Sequence, residues 1–254
     1  MKIITPKKLS KNHNVSTESD SSLVVRYIGF FLFLIFGIYV FFWSLSFVVV
    51  QFVSIEDEKN FLGLDVSDID LGTQVDLPQE LADRYKDIGY NLQLIDMGDT
   101  QNAFASLGGN LYITTAFLEQ IETYEELDFV VGHEIGHIEN RDVLRNLVSK
   151  FPVIIILSIF GGDYGLILFE GIIGNTHSKI HETRADYFGL DFVQSRNGHV
   201  GCALNFFEKG NTIEGNMSEI FSTHPVTDLR IERAKKYIYK QGYTQSDCTS
   251  YKQK

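Results

Sequence analysis

The chain has 254 residues, 44% of them hydrophobic, which suffices for one sizeable domain with a packed core plus appendages. A formal net charge of −11 argues against nucleic acid as a partner, because neutralising phosphates takes clustered Lys and Arg. Two cysteines, Cys202 and Cys248, leave no disulfide framework and no cysteine-based metal cluster, only a single possible bridge.

Residues 1–26 read as a polar tail, its first part rich in Ser, Lys and Asn. From Tyr27 to Ile55 no charged residue occurs, a run longer than the ~20 residues that cross a bilayer as a helix. A cleaved signal peptide is the competing reading, but its apolar core is ~7–15 residues and no small-residue cleavage site follows this run. The run is therefore expected to be an uncleaved anchor contacting lipid. Lys2, Lys7, Lys8, Lys11 and Arg26 precede it and Glu56, Asp57 and Glu58 follow. That asymmetry predicts a cytoplasmic amino end, a single pass through the cytoplasmic membrane, and a domain on the far side.

Residues 56–75 read as a solvated acidic linker, and a domain is expected over 76–241, followed by a polar tail, 242–254. Asn91–Met97 alternates as a half-buried strand does, and "NAFASLGGNLYIT" predicts two strands around a Gly108-Gly109 turn, together a small antiparallel sheet. Apolar positions Leu127, Val130, Val131, Ile135 and Ile138 recur at helical spacing. Further helices are expected at Glu182–Val193, Val200–Glu208 and Thr227–Tyr239. The apolar stretch Phe151–Ile173 is too short between charges to cross a membrane, and predicts a helical hairpin packed on the domain or dipping into lipid.

Within the first of these helices lies "HEIGH". Residues four apart point the same way on a helix, so His133 and His137 can offer two imidazoles to one ion, while Glu134 is turned by ~100° toward a water on it. A bare His-x-x-x-His arises by chance on many helices. A third ligand has a specific candidate in "HETRAD", where Glu182 could ligate and Asp186 could hydrogen-bond a ligand histidine. His137 and Glu182 can share an ion only if the chain between them crosses the membrane an even number of times. Two crossings need ~40 apolar residues, which Phe151–Ile173 lacks.

HExxH followed by ExxxD is the gluzincin pattern, and the chain resembles metallopeptidase family forty-eight. Besides the two motifs, "NAFASLGGNLYITTAFLE" and "STHPVTDLRIERA" are similar to family segments, although Ser106-Leu107 stands where a proline commonly precedes the glycines. The resemblance implies an α+β, mostly helical zincin-like fold and a zinc endopeptidase acting on polypeptides. It implies His133, His137 and Glu182 as ligands of one Zn2+ per subunit, and Glu134 as general base and acid. It places His224 near the reacting carbonyl, with Arg230 assisting; a residue that merely leads into a helix before Pro225 is the plainer reading of His224. The strand Asn102, Ala103, Phe104 and Ala105 is the expected edge along which a substrate peptide lies. Misfolded or misassembled envelope proteins are the substrate class the family implies. A chaperone-like or latent polypeptide binder of the same fold is the alternative.

Overall fold

The computed structural model describes residues 20–62, 72–159, 178–207 and 223–251. The chain divides into two compact units, Met1–Phe41 and Phe42–Lys254. Helix α1, Asp20–Phe52, belongs partly to each. Its segment Ser21–Phe52 contains an 18-residue window with a mean hydropathy of 2.4, and most of its large apolar side chains face outward instead of into a core. By length and composition it can cross a membrane.

After α1 the structure departs from the expected solvated linker. Ile55–Leu62 forms a helix, α2, started by Asp57, whose carboxylate accepts from the Ser54 N–H at 2.9 Å. Glu58 on α2 is buried, and its carboxylate accepts from the Gly108 N–H at 2.9 Å and pairs with Arg141. Burial raises the Glu58 carboxyl above its ordinary range, with those two partners pulling the other way. A side chain at Gly108, where φ is +74°, would meet the α2 backbone at Lys59 Cα, 3.2 Å away. Glycine there serves both the turn and the close approach.

Strands β1 (Thr73–Val75), β2 (Asn91–Asp96), β3 (Ala103–Ser106) and β4 (Asn110–Thr114) form one sheet in the order β1-β2-β4-β3, and helix α3 (Gln79–Tyr85) links β1 to β2. The sheet is mixed and not antiparallel throughout. β3 and β4 make the expected antiparallel pair across the glycine turn, but β2 pairs with β4 in parallel, Leu94 opposite Ile113. Alternation of side chains marks a strand's two faces but not its neighbour, so the sequence could not show that β3 lies outside β4. Leu94, Ala103, Ala105, Leu111 and Ile113 turn one face of the sheet into the core.

Against that face lies α5, Tyr124–Glu139, after the short α4, Thr115–Leu118. Thr123 caps α5 by accepting from the Glu126 N–H, and every residue from Tyr124 to Ile138 is buried. On the side away from the sheet α5 meets α7, Lys179–Asn197, at very short range. A Cβ on Gly132 would stand 2.7 Å from Phe192 Cβ, and one on Gly136 would stand 3.0 Å from Ala185 Cα. Buried Asp128 ties α5 to α3 and to the end of α7 through Tyr85 Oη at 2.8 Å, Asn197 Nδ2 at 2.8 Å and Arg84. Helix α6, Asp142–Ile159, follows α5 after Arg141, which takes a left-handed φ of +59°. The rest of the expected hairpin, beyond 159, lies outside the described residues.

Of the helix expected at Val200–Glu208, only Asn205–Phe207 is helical, after a turn at 201–204; Glu208 lies outside the described residues. The last helix, α8, spans Asp228–Gln241 with Thr227 as its cap. Beyond it the expected free tail is attached. Cys248 is bonded to Cys202, the Tyr124 N–H donates to Thr249 O at 3.0 Å, and the Thr249 N–H donates to Glu125 at 3.0 Å.

Candidate metal centre

Three elements bring their side chains to one point. α5 supplies His133, Glu134 and His137; α7 supplies Glu182 and Asp186; and the segment entering α8 supplies His224 and Arg230. His133 Nε2 lies 3.2 Å from His137 Nε2, and Glu182 lies 3.6 Å from the first and 3.5 Å from the second. Ligand atoms held at ~2.0–2.1 Å around a tetrahedral zinc stand about 3.3 Å apart, so these spacings fit one ion.

The far sides of both rings decide the matter of protons. His137 Nδ1 faces Asp142 Oδ2 at 3.0 Å, and His133 Nδ1 faces Asp186 Oδ1 at 3.1 Å, the latter at an angle short of a formed hydrogen bond. With each Nδ1 proton turned to a carboxylate, both Nε2 atoms present lone pairs to each other and to Glu182. Such a buried triad of acceptors can hold a cation. The surroundings favour positive charge there: burial opposes charge on His137, yet Asp142 and Glu182 outweigh it and lift the imidazole to about 10. Burial likewise opposes ionisation of Glu182, but His224, His137 and His133 hold its carboxyl far below the ordinary range.

Arg230, expected to assist His224, contacts that residue's main chain. Its Nε and Nη2 form a fork on Asp186 at 3.0 and 2.7 Å, and Nη1 donates to the carbonyl oxygens of His224 and Pro225, 3.0 Å each, and lies 3.0 Å from Glu182 Oε2. Its donors are thus spent on holding the ligand helix and the His224 segment together. His224 itself stands inside the cluster, its Nδ1 3.1 Å from Glu182 Oε1 and 3.3 Å from His133 Nε2, with Nε2 3.6 Å from Glu134. The four residues His133, His137, Glu182 and His224 make one candidate ligand group, all buried.

β3 borders this group as the outer strand. Asn102 exchanges main-chain and side-chain hydrogen bonds with Thr114, so the ladder alternates and Phe104 also faces β4. Ala103 and Ala105 turn their main-chain groups outward. The Ala105 N–H donates to Glu134 Oε2 at 2.9 Å, and the Ala103 N–H donates to Asn102 Oδ1 at 2.9 Å. On this side the site is buried, with His133 5% and His137 0% exposed, behind Phe129, Val130 and Phe206.

Asp142 escaped the sequence reading. It sits five residues after His137, and only the left-handed turn at Arg141 swings it back onto that ring. His181 reaches the same acid, its Nδ1 3.3 Å from Asp142 Oδ1.

Comparison with known proteins bears on this geometry. The sequence model of peptidase family M48 matches residues 79–238. The mitochondrial metalloendopeptidase OMA1 of Saccharomyces cerevisiae is 30% identical over 164 residues, 59% of this chain and 47% of its own. The metalloprotease LoiP of Escherichia coli is 24% identical over 58% of this chain and 62% of its own. The metalloprotease YcaL of the same organism is 21% identical over 72% of this chain and 80% of its own. The matched region thus spans about half to two thirds of the first two relatives.

Proposed function

The chain belongs to peptidase family M48, and from that premise we propose that it is a zinc endopeptidase anchored to the cytoplasmic membrane by a single pass, its catalytic domain on the outer side. The carrying observation is the pair of imidazole Nε2 atoms 3.2 Å apart, each backed by a carboxylate and both facing Glu182. His133, His137 and Glu182 would hold the ion, with Asp142 and Asp186 fixing the two rings. Zinc there would supply Lewis acidity, which lowers the pKa of water towards ~7. Glu134 would take the proton from the attacking water and return it to the leaving amine. A substrate strand pairs with the outward main-chain groups of Ala103 and Ala105, which gives affinity with little demand on side chains. That mode suits unfolded or misassembled polypeptides of the envelope, the class of substrate we assign.

The closed site favours a resting state over a permanently inactive binder. His224 fills the side where a substrate carbonyl would approach, and the Ala105 N–H that a substrate needs is engaged by Glu134. Displacing His224 would open the site and leave its imidazole free to steady the developing oxyanion.

The test compares Glu134→Gln with His133→Ala in the full chain purified in detergent. Glu134→Gln is expected to keep one zinc per chain and lose casein cleavage by at least a hundredfold; His133→Ala is expected to lose both. Near-normal cleavage by Glu134→Gln would refute the mechanism.

A further inference from the structure

Helix α6 changes character along its length. Asp142, Arg145, Asn146, Ser149 and Lys150 occupy its first half, whereas Phe151–Ile159 carries no charge. The first half packs on the core through Val143, Leu144, Leu147 and Val148. The second half turns Val153 and Ile155 outward, 43% and 40% exposed.

The contacts with the end of α1 give α6 its direction. The Arg145 guanidinium lies over the Phe47 ring at 5.6 Å, and Phe151 meets Phe42 edge to face at 6.1 Å. Moving up α6 from 145 to 151 therefore means moving back along α1 from 47 to 42, so the two run antiparallel here. Between them lies a groove of about 520 Å³ lined by Phe42, Leu45, Val49, Phe52, Leu147 and Phe151 among others.

Depth follows by arithmetic. A ~20-residue window of hydrocarbon starting at Tyr27 ends at Ser46, and one ending at Ile55 starts at Phe36, so Phe42 is inside whichever applies. Phe151, in ring contact with Phe42, lies at the same level, and the uncharged half of α6 begins there. At 1.5 Å per residue the described part of that half, Phe151–Ile159, adds about 13 Å.

We infer that Phe151–Ile159 of α6 inserts into the membrane, with lipid acyl chains covering Val153 and Ile155 and filling the groove beside α1. Lys150, at the boundary, has a stem long enough to carry its ammonium to the interface. Continuity of the groove with the outward apolar side chains of Trp43, Phe47 and Phe52 selects lipid as the occupant, because an apolar surface joins the two helices. The inference rests on α1 crossing the membrane, and Trp43, the chain's one tryptophan, tests that premise separately.

The experiment measures tryptophan emission of the full chain in nanodiscs whose phosphatidylcholine carries brominated acyl chains. Three samples are compared: the native chain, Trp43→Phe with Ile155→Trp, and Trp43→Phe with Tyr239→Trp, the last at a position 89% exposed. Bromolipid is expected to at least halve emission from Trp43 and from Ile155→Trp while sparing Tyr239→Trp, and aqueous iodide is expected to do the reverse. Val153→Trp replaces Ile155→Trp if circular dichroism shows the latter misfolded. Quenching of Ile155→Trp by iodide alone would overturn the inference and leave the anchor standing. Quenching by neither would overturn it in favour of a protein cover, and unquenched Trp43 would remove the premise with it.

Discussion

Asp142 and Ala103 each do something their residue types do not announce. Asp142 faces His137 Nδ1 at 3.0 Å, an arrangement that orients the ring with Nε2 toward the candidate metal position. Asp142→Asn is expected to weaken zinc binding by 10- to 100-fold, measured by competition with a chromophoric chelator, with the fold intact. Ala103 turns its N–H to the open side of β3, so Ala103→Pro removes a donor that β4 does not use. Its expected effect is a raised KM for casein at unchanged zinc content, and a normal KM would move the peptide to another surface. The HExxH reading was legible because a helix fixes residues four apart on one side whatever surrounds it. Asp142 was not, since its place depends on the positive φ of Arg141, a conformation rare for a side chain of that kind.

Elements differ in how far the sequence exposes them. Capping threonines, alternating strands and the glycine turn are local, and those elements lie close to where they were expected. The partners of an element are not local, and α2 shows the difference. Its acidic residues suit a solvated connector, yet Glu58 reaches Gly108, 50 positions on, and fastens α2 to the turn that leads out of β3. Glu58→Ala would strand a buried N–H and a largely buried guanidinium. A loss of about 3–5 kcal/mol is expected, read as a lowered thermal midpoint of the full chain, with Glu58→Gln milder. The glycines of α5 carry the same lesson: only the structure shows α7 filling the space beside Gly132 and Gly136.

For the molecule as a whole, the basic residues before α1 and the acids after it predict which side the domain occupies. Protease added to intact cells, or to spheroplasts where there is an outer membrane, is expected to degrade the region after Ile55 and spare a tag at residue 1. The opposite pattern would reverse the orientation. A disulfide between Cys202 and Cys248 suits a domain in an oxidising space. The attachment it secures also has a bearing on biosynthesis. The first turn of the metal-bearing helix is sealed by Thr249, which follows Glu125 by 124 residues. A ribosome extends the chain by ~5–20 residues each second, so α5 emerges several seconds before the partner that completes its start. During that interval the amino end of α5 lacks the two contacts that Tyr124 and Glu125 make with the main chain of Thr249 in the folded chain.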